Sequence, residues 1–484
     1  MTVSLVEPEA VQETEKGPSA PKRAEGREVV SIEFAGWLPC FEFFGDCGHH
    51  PQFSHTDAPP AGYRFVRSEP KPAPARRGWG VRTAIGKAAW AAWMFLRPLL
   101  SIIHQARAFG PGKALRTLAD VLRLFFMLRR AGCRIGPILH FLRTRHFASQ
   151  VLLPSRPGLL FLTSIPYTFG RHPWIIEIED ATTLLLPFHM NGCTSRTPIR
   201  RSPYLQIVKA LLESESCRGI ITHMRSTAEA LPKLFRSDAI AAKTSYVPCG
   251  VSLPPVAQDH AATDRLDLLF TCSWHQNPES FFLRGGLDVV RAFETIHERY
   301  PHVRLTLRTG LPKLKPRFRR VLEKCWVRVI DRYLPDDEMD ELMRSTHLFI
   351  LPAARIHVVS VLRAMAHEQV VVASDGWGFR EYVEHGRNGM IVPGRYGKAS
   401  WMDDETGMMR ENYDLMLASD SAVTRGLVET ISTLVEDHEL RRRLGRQARL
   451  DVATRYNLEN WNRGLKEALD RAIPNTDYPL SGRR

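Results

Sequence analysis

From residue 158 onward, short unbroken apolar runs alternate with longer stretches whose apolar positions recur every three or four residues. Runs of the first kind predict buried strands: "GLLFLT", "WIIEIED", "TTLLLPF" and "GIITH". The second kind predicts helices: "PYLQIVKALLESE" and "TAEALPKLF". "YVPCGVSLPPVAQDHAATDR" reads as a connection between domains, after which the alternation resumes. "LDLLFTCSW", "VRLTLRT", "VRVIDRY", "HLFILP", "VVVAS" and "GMIV" predict strands; "GGLDVVRAFETIHERY", "DDEMDELMRST", "VVSVLRAMA" and "GFREYVEHG" predict helices between them. Alternation of this kind implies two parallel sheets covered by helices, hence two doubly wound α/β domains. Within the closing helix expected at 455–473, the stretch "NLENWNRGLKEALDRAI" is amphipathic.

The start of the chain differs. Residues 1–28 mix acidic residues with proline and glycine and carry no apolar segment, which predicts a disordered tail rather than a secretory signal or membrane anchor. "VVSIEFAGWLPCFEFFG" suits a strand followed by a loop, and "HTDAPPAGYRFVRSEPKPAPARRGWG" a loop or linker. The first domain is thus expected over 29–255, with residues 81–150 inserted, and the second over 264–452.

Residues 81–150 have helical apolar spacing and hold twelve Lys or Arg against Asp120 alone, most of the chain's net +14. Arg97-Pro98 interrupts the best candidate for a span, which needs about 20 apolar residues. Two readings stay open: cationic helices with Trp90, Trp93, Phe125 and Phe126 lying on an anionic membrane surface, or an ordinary helical subdomain with a solvated basic face. At 484 residues, two domains are expected, and a pI near 9.6 favours anionic partners. Eight scattered cysteines argue against a disulfide framework and point to a reducing, cytoplasmic setting. The group Cys40, Cys47, His49 and His50 lacks the tight paired spacing of zinc sites, which favours a structural role.

Two blocks carry chemistry. "FFLRGGLDVVRAFETI" places Arg284 before a Gly-Gly helix start. "VVVASDGWGFREYVEHGRNGMIV" offers Gly376 and Gly378, which permit close backbone approach, and then Glu381. In order of elements and in these motifs, residues 158–470 resemble the retaining GT-B glycosyltransferases of the large nucleotide-sugar-dependent group. The resemblance implies a donor held in the cleft between two Rossmann-like domains, with Arg284 on the position of a lysine that neutralises the donor diphosphate. Arginine grips phosphate with two parallel hydrogen bonds. The family's upstream Gly-Arg pair is missing; "TCSWHQNPES" stands there, so His275 or Trp274 is the expected substitute. The resemblance also implies that no bound metal or cofactor is needed.

Between the blocks, the family's two glutamates seven residues apart are replaced by Arg355 and Arg363 in "RIHVVSVLRAMA". In the family the first acid contacts donor-sugar hydroxyls and the second the ribose. Carboxylates accept from hydroxyls whereas arginine only donates. Either the cleft takes an anionic donor group, with His357 contributing, or donor binding is lost and the fold is a scaffold. On the acceptor side Glu179, Asp180 and His189 are expected at strand ends facing the cleft, as base or orienting groups or as helix caps. The implied activity is transfer of a sugar, with retention, to a glycan or lipid-linked glycan. No G-x-G-x-x-G follows an early strand, no G-x-x-x-x-G-K-[ST] occurs, and no nucleic-acid-binding module is visible.

Overall fold

A computed structural model of the chain describes residues 29–35, 58–67, 111–130, 135, 159–164, 173–185, 199–201, 203–255, 265–272, 279–332 and 334–473. The expected tail 1–28, the Cys40/Cys47/His49/His50 group, Trp90, Trp93, His189, Trp274 and His275 lie outside the described residues.

The first domain is a six-stranded parallel sheet in the order β2-β1-β3-β4-β5-β6. Its strands are β1 (Val30–Ala35), β2 (Tyr63–Arg67), β3 (Leu159–Thr163), β4 (Trp174–Glu177), β5 (Cys217–Thr222) and β6 (Thr244–Tyr246). Continuous apolar runs such as Leu159–Leu162 suit strands buried on both faces. Helix α1 (Pro111–Arg130) lies between β2 and β3 in the chain; α2 (Pro203–Glu213), α3 (Arg225–Phe235) and α4 (Asp238–Lys243) flank the later strands. Two expectations fail here. The segment read as linker contains β2, a short edge strand. "TTLLLPF" opens as a 3-10 helix, Ala181–Leu185, because the Asp180 carboxylate accepts from Thr182 N at 2.6 Å and turns the chain.

The second domain is also six-stranded and parallel, in the order β12-β11-β10-β7-β8-β9. It comprises β7 (Leu266–Thr271), β8 (Val303–Arg308), β9 (Val327–Ile330), β10 (Leu348–Leu351), β11 (Val370–Ser374) and β12 (Gly389–Val392). Connecting helices are α5 (Ser280–Leu283), α6 (Gly286–Arg299), α7 (Pro316–Leu322), α8 (Asp336–Arg344), α9 (Val358–Ala366) and α10 (Phe379–Tyr382), the last a single turn. After β12 an antiparallel hairpin, β13 (Ser400–Met402) and β14 (Met409–Glu411), precedes α11 (Ser421–Glu436) and α12 (His438–Thr454).

The expected closing helix is α13 (Leu458–Ala472), and it returns to the first domain. Tyr63 Oη donates to Asp470 Oδ1 at 2.6 Å, and Arg471 to Ser245 Oγ at 2.8 Å. Buried apolar contacts run without a break from Ile32 and Phe161 through Met224 and Val247 to Leu351, Trp377 and Trp461. One packed core therefore joins the two sheets, and their carboxyl edges face each other.

Candidate functional site

In the second sheet the chain runs outward from β7 to β9 on one side and from β10 to β12 on the other. The topological switch point, where open α/β sheets place their ligands, falls between β7 and β10. Arg284 follows β7 and Arg355 follows β10, so the two straddle it. Arg284 ends α5 and is buried, as is Arg308 at the end of β8, which donates to Cys272 O. Burial lowers the Arg284 pKa to about 10; Arg355 and Arg308 push the same way, against Cys272 and Glu179. Arg284 is thus a cation held near like charges in a poorly solvated place.

Arg355 is tied across the cleft. Its Nη1 donates to Asp180 Oδ2 of the first domain at 2.8 Å, and its Nε stands 3.6 Å from Glu411 Oε1 at the end of β14. Burial alone would lower its pKa, but Glu411, Asp180, Tyr413 and Glu179 outweigh that and raise it. Glu411 is itself buried, and burial raises its carboxyl pKa despite Arg355. Both Asp180 oxygens are engaged, one by Thr182 N and one by Arg355. Deeper on the same edge, His223 Nδ1 lies 3.5 Å from Glu177 Oε1, both buried.

Arg363 belongs to a different group. It donates to Asp336 Oδ1 at 2.9 Å and Asp340 Oδ1 at 2.6 Å, and His367 Nε2 lies 3.3 Å from the same Asp340 oxygen. Burial opposes these partners, yet His367 and Arg363 hold the Asp340 pKa down at about 2. Among the described residues no contact joins Arg363 to the Arg284–Arg355 group. His357, half-buried, occupies the N-cap position of α9 without a side-chain cap bond.

The glycine loop is packed against protein. A Cβ at Gly376 would lie 2.5 Å from Ala353 O and Ala354 O; at Gly378, with φ +83°, it would lie 2.6 Å from Met224 Cε of the first domain. The loop's N–H groups are largely satisfied internally: Gly376 N by Ser374 Oγ at 3.1 Å, and Trp377 N by Ala354 O at 2.8 Å and Ser400 Oγ at 3.2 Å. Glu381 reaches across the interface to cap α3, accepting from Arg225 N at 2.6 Å, from Ser226 N at 3.2 Å and from the Ser226 hydroxyl. Next to it, the Tyr382 hydroxyl donates to His223 O.

The β13–β14 hairpin straps the domains together. Met408, fully buried at its tip, packs into the first domain's core beside Leu231 and Leu234. Arg200 of the first domain donates to Glu405 O at 2.9 Å and pairs with the Glu405 carboxylate at 2.7 Å. Glu411, Arg308, the Glu177–His223 pair and this strap were not found from sequence. The strap's only advance signal is its turn, "DDETG", which sits between apolar positions.

The fold and the facing sheet edges define a two-domain, doubly wound α/β protein with a buried cationic group at one switch point. Residues 283–403 match the family described as Glycosyl transferases group 1, a span that opens beside Arg284 and includes Arg355, Arg363, Gly376, Gly378 and Glu381. The structure of the chain is similar to a glycosyltransferase of Rickettsia africae, with 9% identity, 93% of this chain and 100% of that chain covered, and a TM-score of 0.49. It is also similar to HepE of Anabaena, solved with UDP and glucose, with 14% identity, 64% and 77% covered, and a TM-score of 0.43. A third is sucrose-phosphate synthase of Thermosynechococcus elongatus, with 16% identity, 68% and 77% covered, and a TM-score of 0.45. No curated protein sequence matches the chain.

Proposed function

We propose that the chain transfers a sugar from a nucleotide-sugar donor to a glycan or lipid-linked glycan acceptor, with retention of configuration, in surface polysaccharide or glycolipid synthesis. The observation that carries this reading is the placement of buried Arg284 and Arg308, with Arg355, at the switch point of the domain that matches the glycosyl transferases group 1 family. Like charges crowded in a poorly solvated place gain from an anion, and a leaving nucleoside diphosphate develops negative charge there. In this reading Arg284 stabilises the departing diphosphate, and basic side chains do so without a bound metal or cofactor. Asp180 holds Arg355 and the wall of the cleft. The expected place of work is cytoplasmic, on the inner face of a membrane.

One observation favours a second reading, a scaffold that binds a glycan or partner without transfer. Arg355, Asp180 and the glycine-loop amides have internal partners, and the strap lies over them. A calorimetric screen of UDP-, GDP- and ADP-sugars, neutral and acidic, separates the two. The transferase reading expects at least one donor to bind and Arg284→Ala to weaken it about ten- to a hundredfold, the worth of a hydrogen-bonded charge pair. Binding of no donor establishes the scaffold; binding unaltered by Arg284→Ala removes Arg284 from the site.

A further inference from the structure

Helix α1 packs on the first domain through Phe125, which lies against its core. Four other large apolar side chains, on the face adjoining that contact, stay exposed. Leu115, Leu118, Leu122 and Phe126 are 66%, 41%, 49% and 60% exposed. Steps of three, four and four residues place all four on one face of a helix, a continuous stripe about three turns long. Such a stripe on a water-exposed helix is unusual for a soluble surface and marks an interaction site.

The flanks of the stripe say what it meets. Arg123, Arg129 and Arg130 are exposed, the last two in the final turn, and the first turn has no acid. Along the whole helix Lys113, Arg116, Arg123, Arg129 and Arg130 face a single acid, Asp120. A second copy of the chain would set arginine against arginine, and an acidic protein would satisfy the cations but not the leucines. A bilayer with anionic headgroups satisfies both at once, because its interface offers phosphates above and acyl chains below. The helix does not cross: no helix among the described residues is long and apolar enough to span a membrane.

We infer that α1 is an interfacial anchor that lies in the plane of an anionic membrane, with Leu115, Leu118, Leu122 and Phe126 inserted and Arg123, Arg129 and Arg130 at the headgroups. This rests on the membrane part of the proposed function and not on the transfer reaction.

The test is flotation of the full chain with phosphatidylcholine vesicles, with or without a third of phosphatidylglycerol. Binding is expected to the anionic vesicles only and to weaken with salt. Leu122→Glu with Phe126→Glu should lower the bound fraction at least about tenfold, since apolar area is lost and charge added. Leu115→Glu, ten residues from the Phe125 contact, should lower it too, which guards against a folding defect in the double variant. Nucleotide binding by the same preparations reports on the cleft, so failure here is distinguishable from failure of the transferase reading. Binding indifferent to these substitutions overturns the inference. So does absence of vesicle binding, or a dimer that Leu115→Glu dissociates.

Discussion

Replacing Glu381 by alanine separates two roles for this residue, a donor ligand or a cap that joins the domains. The α3 N-cap, Met224, makes no side-chain cap bond, so Glu381 is what satisfies the first N–H groups of that helix. Loss of an N-cap costs about 0.5–2 kcal/mol, and a carboxylate at a helix N-terminus adds about 0.3–1 kcal/mol. Glu381 is half-buried, which keeps the sum to about 2 kcal/mol. In hydrogen exchange this is about thirtyfold faster exchange at Arg225 and Ser226, with the interiors of both sheets unchanged. Glu381→Gln keeps one acceptor oxygen but turns an N–H donor toward the helix, so it should fall between wild type and alanine. Unchanged exchange together with weakened donor binding would refute the capping argument.

Met408→Ala should loosen the strap by about 2–3 kcal/mol, the lower part of the range for a buried methionine at an interface. Limited proteolysis then cuts faster within 403–408, and a rate equal to wild type refutes the strap. His223 gives a pH test. Burial lowers its pKa, but the Glu177 carboxylate beside it and the charges of Glu179 and Glu381 outweigh this and raise it above 6.5. A raised histidine contributes stability that is fully present below 6.5 and is lost as pH rises through the folded-state pKa. Tyr382, Cys249 and Glu381 also face this group, and the tyrosine and thiol pKa values are pushed well up by burial, so they stay neutral across that range. His223→Gln should therefore flatten the decline in stability above neutral pH; an unchanged slope in denaturation measured across that range contradicts the assignment.

Much of the fold was legible because its strands are buried on both faces, so Leu159–Leu162, Leu348–Leu351 and Val370–Ala373 read as unbroken apolar runs. The misread segments are those where one polar side chain or an edge position decides. Asp180 bends "TTLLLPF" into a 3-10 helix, and β2 survives among prolines because an edge strand tolerates them. Arg284, Arg355 and Arg363 stood out by motif, but their partners did not. Asp180 lies 175 positions from Arg355, and Glu381 lies 156 from the amide it caps. Pairings at that separation are set by how two sheets meet, and no local pattern encodes them.

The arginines at 355 and 363 have a physical reason that involves no ligand. A carboxylate at 355 would stand beside Asp180 and Glu411, three acids in a place where burial already raises the Glu411 pKa. Such a cluster is strongly unfavourable unless protonated or paired. The guanidinium at 355 and the hairpin that delivers Glu411 therefore form a matched set: the strap brings the acid, and the arginine makes its burial tolerable. The same logic applies at 363, where Asp336 and Asp340 of α8 already supply the carboxylates. Internal partners account for the charge of both arginines, so an anionic donor is not needed to explain them. Arg284 differs in its surroundings: burial lowers its pKa, and Arg355 and Arg308 push the same way, against Cys272 and Glu179. In the proposed transferase reading it is the motif arginine assigned to the departing diphosphate.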